Sequence, residues 1–162
     1  MKKIMTLAFA VALLSGFTTY RAVTGADEVM KTYLMVKECL LNSDSVNAAT
    51  NAKALSAELT KWRAKKVNIF MLDTLQRKRT EAIQLAGEIA ATRNINRQRK
   101  SFAKLSEHVW YWMQHQPKPG SILYRQQCPM TGEIWMSTDT MIRNPYYPKN
   151  MLTCGTVTGS TE

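Results

Sequence analysis

Apolar residues recur every three or four positions up to about residue 115, and this spacing predicts amphipathic α-helices. The predicted helices run from Asp27 to Leu41, from Val46 to about Lys65, from about Val67 to Thr92, and from Ile95 to about His115. Asn94 is a favourable N-cap for the last of them, and Phe70 belongs to the apolar stripe of the third. Because short connections join the helices, the pattern predicts an all-α fold with a four-helix up-down bundle over residues 27–116.

The pattern changes at Gln116–Gly120, where two prolines and a glycine end the fourth helix. Ser121–Tyr124 and Ile134–Met136 have the character of short extended segments. Residues 117–162 are too few for a separate domain. We therefore expect a short, irregular C-terminal cap with small β-like segments, packed on the bundle as part of the same domain.

The first 26 residues follow the order of a secretory signal peptide. Lys2 and Lys3 precede an apolar run from Ile4 to Leu14, which is followed by the small residues Ser15 and Gly16 and by a polar stretch that ends at Ala26. A membrane-spanning helix needs roughly 20 apolar residues, and this run is much shorter. We therefore expect cleavage near Ala26 and a periplasmic or otherwise exported protein.

The chain carries a formal net charge of +10, and its basic residues are concentrated between Lys61 and Lys104. In a cytosolic protein such a concentration would indicate nucleic-acid binding, but export argues against a nucleic-acid partner. Three alternatives remain: an anionic membrane surface in peripheral contact, an acidic partner protein, or a solvated helix face.

The residues with the most distinctive chemistry lie in the predicted cap. Cys128 and Met130 are two positions apart and would face the same side of an extended segment. Met151 and Cys154 are three apart and would converge in a tight turn. Together they predict a two-thiolate, two-thioether site, and soft sulfur donors select Cu(I) and related ions. The weaker candidate ligands are Met136 and His115.

The same two cysteines also suggest a disulfide, which is common in exported proteins. In the chain-entropy model, joining Cys128 to Cys154 would stabilise the fold by roughly 3 kcal/mol. The protein would then be an envelope interaction module stapled by this bond, without a metal. An oxidised pair cannot supply thiolates, so the two interpretations exclude each other at any moment. Cys39, inside the first predicted helix, is expected to be a small buried residue.

The predicted cap contains the runs Leu123-Tyr124, Cys128-Pro129-Met130, Ile134-Trp135-Met136-Ser137, Ile142-Arg143-Asn144-Pro145-Tyr146-Tyr147 and Met151-Leu152-Thr153-Cys154-Gly155. Together these runs resemble the signature of the domain of unknown function family 3347. Upstream, the run from Gln98 to Ser106 is similar to the fourth-helix motif of the family. Two positions depart from the family pattern, since Met136 replaces a usual Leu and Pro148 replaces a usual Gly.

The resemblance implies an exported helical protein, similar to domains that are fused to adaptor subunits of copper and silver efflux systems. It implies ligand roles for Cys128, Met130, Met151 and Cys154. It also implies a structural frame formed by Tyr124, Trp135, Asn144, Pro145 and Tyr146.

We expect a Cu(I) or Ag(I) carrier, buffer or efflux accessory that serves in heavy-metal resistance, with metal-efflux components or other envelope proteins as partners. The sequence has no His-Glu-Xaa-Xaa-His, Gly-Xaa-Ser-Xaa-Gly or Cys-Xaa-Xaa-Cys motif, so we do not expect an enzyme.

Overall fold

The structure of the protein is a computed structural model that describes residues 25–63, 67–115 and 120–161. Most of the predicted signal peptide lies outside the described residues. Its last two positions, Gly25 and Ala26, form the start of the first helix, and Ala26 is buried there. Cleavage after Ala26 would therefore remove the first two residues of this helix.

Four helices account for most of the described residues. They are α1 (Gly25–Leu41), α2 (Ser45–Lys61), α3 (Ile69–Ala90) and α4 (Ile95–Gln114). The prediction of four helices is confirmed, and so is Asn94 as the cap of α4, because its side chain accepts hydrogen bonds from the backbone N–H groups of Asn96 and Arg97.

The prediction that α2 continues to about Lys65, a residue outside the described ranges, is wrong. The helix ends at Lys61, and Trp62 adopts an extended backbone with ψ of 138° while its N–H still bonds to the Glu58 carbonyl. This change of direction buries the Trp62 indole in the core, where only 8 % of the residue is exposed. Burial of a large aromatic ring outweighs continuation of the helical pattern.

Each helix packs against the next one in sequence, and the buried faces form one continuous apolar core. Small residues such as Ala48, Ala52 and Ala86 are fully buried and allow close approach of the helices. Phe70 is a second correction to the sequence prediction, because 89 % of it is exposed at the start of α3. No helix among the described residues has the length and apolarity required to cross a membrane.

The chain beyond the helices forms a regular sheet rather than a wholly irregular cap. Its strands are β1 (Tyr124–Gln127), β2 (Ile134–Ser137) and β3 (Thr156–Ser160). All pairings are antiparallel, and β1 lies between β2 and β3. The prediction for β2 is confirmed, β1 begins three residues later than Ser121, and β3 was not predicted. The fold is therefore predominantly helical with a small antiparallel C-terminal sheet, as predicted in outline, and the sheet is more regular than the expected cap with small β-like segments.

Buried polar contacts fix the sheet to the helices. Every residue of β2 is buried, and this strand packs on α4. The Tyr33 hydroxyl of α1 lies 2.6 Å from the Ser106 Oγ of α4, and it accepts a hydrogen bond from the Met136 backbone N–H. Burial raises the pKa of the Tyr33 hydroxyl far above its ordinary range, so this group stays neutral.

Arg99 makes a second connection between the helices and the segment that follows β2. Its Nε donates to the Pro145 carbonyl at 2.9 Å, and its Nη2 donates to the Leu40 carbonyl at 2.8 Å. Most of the other basic side chains described between Lys61 and Lys104 are exposed, as a solvated helix face requires.

Candidate metal centre

Cys128 lies at the base of the tight loop that joins β1 to β2. Its backbone N–H bonds to the Glu133 carbonyl at 3.0 Å, and its carbonyl accepts from the Gly132 N–H at 2.8 Å. Gly132 has φ of +78°, a conformation that glycine adopts at no steric cost. This short loop turns the backbone N–H groups of Met130 and Thr131 back toward the Cys128 sulfur.

Cys154 lies in a second turn, immediately before β3. Its backbone N–H bonds to the Met151 carbonyl at 3.0 Å, which closes a turn over the residues that the sequence predicted to converge. Met151 is in turn anchored by its own N–H, which donates to the Tyr147 carbonyl at 2.8 Å.

Asn144 connects this second turn to the core and is itself fully buried. Its Nδ2 donates to the Cys154 carbonyl at 3.2 Å, and its Oδ1 accepts from the Tyr146 N–H at 2.9 Å and the Tyr147 N–H at 3.3 Å. The backbone N–H of Asn144 donates to the Leu152 carbonyl at 2.8 Å. One buried amide therefore sets the position of Cys154.

The Trp135 ring packs against the same turn at Gly155. The ring is fully buried, and its Nε1 donates to the Gln126 Oε1 at 2.5 Å. A Cβ added to Gly155 would lie 2.8 Å from Trp135 and 2.8 Å from Ile142. Only glycine fits here without displacing its neighbours, and this close contact fixes the residue next to Cys154.

The two turns bring the thiols of Cys128 and Cys154 into contact. Their sulfur atoms are 3.7 Å apart, and both residues are free cysteines. Cys128 is fully buried, whereas Cys154 is only half-buried. The pair is therefore preformed and open to solvent on the Cys154 side.

The pKa values of the two thiols are shifted in opposite directions. Burial raises the pKa of the Cys128 thiol, but hydrogen bonds from the Thr131 hydroxyl and from the backbone N–H groups of Thr131 and Met130 outweigh it, so its pKa is lowered. The pKa of Cys154 is raised, first because this thiol donates its hydrogen bond to Cys128 and then by desolvation. Of the two sulfurs, Cys128 is the better stabilised as a thiolate.

The separation of the thiols fits bidentate binding of one metal ion. With the sulfurs 3.7 Å apart, an ion about 2.3 Å from each would subtend an S–metal–S angle of about 107°, close to the tetrahedral angle. Among the described residues, no group of three or more His, Cys, Asp or Glu side chains could hold a metal ion.

The predicted thioether ligands differ in their placement. Met130 is 75 % exposed, and Met151 is half-buried in the turn that holds Cys154. Met136 is fully buried, and alternation along β2 directs it to the face opposite Trp135, away from the side that Gly155 covers. The structure therefore separates Met136 from the other predicted ligands.

His115 follows the last residue of α4 and is half-buried. Its Nδ1 lies 2.6 Å from the Tyr111 carbonyl, and its ring packs against the Tyr111 ring with centroids 4.5 Å apart. The Tyr111 carbonyl therefore already engages one of the two ring nitrogens through which His115 could bind a metal.

The remaining predicted frame residues, Tyr146, Pro145 and Tyr124, differ in their relation to the thiol pair. Tyr146 is buried, and its hydroxyl donates to the Ile134 carbonyl. Pro145 is buried beside Asn144, and Tyr124 pairs with Ser137 at the far end of the hairpin.

Sequence reasoning missed two polar residues of the site. The Thr131 hydroxyl and backbone N–H both lie beside the Cys128 sulfur, and the hydroxyl proton is shared with Glu133 Oε2, 2.8 Å away. Gln126 is fully buried and bonds through Nε2 to the carbonyls of Asp139 and Met141. A buried glutamine within a strand gives no signal in the sequence. A threonine three residues after a cysteine, in a loop that contains glycine, does give a signal that could have identified Thr131.

The fold and the site define a class, a helical domain whose C-terminal sheet carries a preformed pair of thiols. A family model described as "Protein of unknown function (DUF3347)" matches residues 29–118, more than half of the chain, and the chain belongs to this family. The match covers the region of the four helices and ends before β1, so it does not include the two thiols. No curated protein and no solved structure matches the chain.

Proposed function

We propose that this protein is an exported carrier, buffer or efflux accessory that binds one Cu(I) or Ag(I) ion through Cys128 and Cys154, without catalysis. The observation that supports this proposal best is the 3.7 Å contact between two free thiols, which lie 26 positions apart in the chain. Thiolates are soft ligands and favour Cu(I) over hard cations.

The surroundings of the pair support metal binding in a second way. Hydrogen bonds from Thr131 and from the Met130 N–H stabilise negative charge on Cys128, and a thiolate is the form that binds a metal. The exposed Met130 side chain is unbranched and flexible, and it follows Cys128 by two residues. It could close over an ion held by the two thiolates.

The helices would serve as the scaffold for this site. We propose that they form an up-down bundle, which is supported by the packing of each helix against the next one. The signal-peptide pattern supports export, and an exported soft-metal carrier would exchange its ion with metal-efflux components or other envelope proteins. We place its basic helix face in solvent or in peripheral contact with an anionic surface.

Replacing both thiols should abolish the high-affinity site. We expect the reduced protein to bind one equivalent of Cu(I) in titrations against a chelating competitor. The Cys128→Ser, Cys154→Ser double variant should bind at least tenfold more weakly, because hydroxyls are poor ligands for a soft ion. The matched control is Cys39→Ser, which changes a half-buried thiol on α1 and should leave the affinity unchanged. Equal affinity in the wild type and the double variant would rule out the proposal.

The thioether contribution is tested separately. Met130→Leu and Met151→Leu remove the sulfur while nearly keeping the volume of the side chain. We expect each to weaken Cu(I) binding several-fold in the same competition assay. Met141→Leu is the control, since Met141 is 68 % exposed and was not predicted as a primary ligand. If all three variants bind like the wild type, Met130 and Met151 are not ligands.

The contact between the thiols also favours a second candidate, an envelope interaction module stapled by a Cys128–Cys154 disulfide. Exposed apolar residues near the two turns, including Met130 and Leu152, would then serve partner contacts. Counting thiols on denatured protein taken directly from the periplasm discriminates between the two. One reactive thiol, that of Cys39, indicates the staple, and three indicate an available metal site.

A further inference from the structure

The two thiols of the pair differ sharply in their access to solvent. Cys128 is fully buried at the base of the β1–β2 loop, whereas Cys154 is half-buried and follows two exposed residues, Leu152 and Thr153. A disulfide reagent must reach the sulfur that attacks it. Of the two sulfurs, only that of Cys154 can therefore make the first contact with a reagent from solution.

The buried thiol is placed to complete the reaction. Its sulfur is already 3.7 Å from that of Cys154, and a disulfide bond of about 2.05 Å requires them to approach by only about 1.7 Å. The hairpin loop and the Asn144 hydrogen bonds hold the two turns in place, so rotation of the side chains can supply this movement.

We propose that Cys154 is a modification site for small organic disulfides and that Cys128 resolves the adduct. In the first step, Cys154 loses its proton to solvent. Its thiolate is less stabilised than that of Cys128 but more nucleophilic, and it attacks one sulfur of the reagent RS–SR, so that a bond forms between the Cys154 sulfur and SR while RS⁻ leaves. In the second step, the Cys128 thiolate attacks the Cys154 sulfur and expels the second RS⁻. Cys128 and Cys154 together lose two electrons, and the reagent RS–SR gains them. The two thiol protons are taken up by the two RS⁻ groups, which leave as RSH.

This chemistry would regulate the site proposed above, and that consequence rests on the proposed function. The internal disulfide removes both thiolates at once, so an oxidised protein would release its soft metal ion or fail to acquire one. Exchange with a small thiol reverses both steps and restores the pair.

The order of the two steps can be tested without any metal. The protein is prepared with Cys39→Ala, so that only the pair remains, and is treated with 2-hydroxyethyl disulfide before mass spectrometry. We expect the intact pair to lose two hydrogen atoms without retaining an adduct. Cys128→Ser should accumulate one adduct on Cys154, whereas Cys154→Ser should stay unmodified over the same period.

Two results would overturn the proposal. One is an adduct on Cys128 in Cys154→Ser that forms as fast as the adduct on Cys154 in Cys128→Ser. The other is a stable adduct on the intact pair that never closes to the internal disulfide. Circular dichroism of each variant shows whether it is folded, and Cys128→Ala replaces Cys128→Ser if the buried hydroxyl prevents folding.

A second measurement separates this inference from the proposed function. Cu(I) competition titrations are run on the reduced and the oxidised forms of the same sample. We expect only the reduced form to bind tightly. If closure occurs but the reduced form binds no better than the double serine variant, the metal proposal fails and the thiol chemistry stands. If Cu(I) binds tightly but no closure occurs, the thiol chemistry fails alone.

Discussion

Replacing Trp135 with alanine is expected to lower the free energy of unfolding by about 3–5 kcal/mol, the usual cost of removing a large buried ring. The ring is fully buried, packs edge-on against Tyr146 with centroids 6.0 Å apart, and lies directly beneath Gly155. Its loss also leaves the Gln126 Oε1 without its donor. Chemical denaturation followed by circular dichroism and by fluorescence measures the effect.

The matched control for Trp135 is Phe70→Ala. Phe70 is also aromatic but 89 % exposed, and its removal should change the free energy of unfolding by less than about 0.5 kcal/mol. Trp135→Phe removes the hydrogen bond with less loss of volume. Its loss in free energy of unfolding should lie between those of Trp135→Ala and Phe70→Ala. A cost for Trp135→Ala no larger than that for Phe70→Ala would contradict the position of this ring at the base of the site.

Replacing Asn144 with alanine is expected to cost about 2–4 kcal/mol, because it leaves one buried and two partly buried backbone groups without this partner. The N–H groups of Tyr146 and Tyr147 lose their acceptor, and the Cys154 carbonyl loses its donor. Since the amide also positions Cys154, Cu(I) affinity should fall in the same variant even where the protein remains folded. Denaturation and Cu(I) competition are measured on one preparation.

Asn150→Ala is the control for this experiment. Asn150 is exposed six residues further along, and only its backbone N–H makes a described hydrogen bond, to the Tyr147 carbonyl. Both stability and Cu(I) affinity should match the wild type. If Asn144→Ala loses stability but retains full affinity, Asn144 supports the fold without positioning the ligand.

The helices could be predicted because their signals are local. Asn94 is an N-cap with an apolar stripe behind it, and its side chain alone satisfies two N–H groups of α4. The end of α2 could not be predicted in this way. Trp62 leaves the helix because the core accommodates its indole, and the sequence near Trp62 does not contain that information.

The strands show the same division between local and long-range causes. The β2 strand, Ile134–Ser137, has apolar residues that indicate an extended segment by themselves. The β3 strand, Thr156–Ser160, is mostly exposed and lacks an alternating apolar pattern. It is a strand only because β1 offers it a free edge, which depends on the tertiary fold.

The candidate site was only partly predictable. The sequence identified Cys128 and Cys154 as a pair, but not their order of exposure or their 3.7 Å contact. That contact depends on the Asn144 hydrogen bonds and on the close fit of Gly155 against Trp135, which join segments distant in sequence. Met136 illustrates the opposite case. Its sequence position suggested a metal ligand, but the alternation of side chains along β2 places it on the face of the sheet opposite Trp135, away from the other predicted ligands.

The central claim, that these two thiols hold a soft metal ion, is tested most directly by X-ray absorption at the copper edge. The sample is reduced Cys39→Ala protein loaded with one equivalent of Cu(I). We predict a first coordination shell that consists of sulfur, including both cysteines, and that is lost in the variant with Cys128→Ser and Cys154→Ser. A shell of nitrogen or oxygen atoms, or a sulfur shell that persists in that variant, would contradict it.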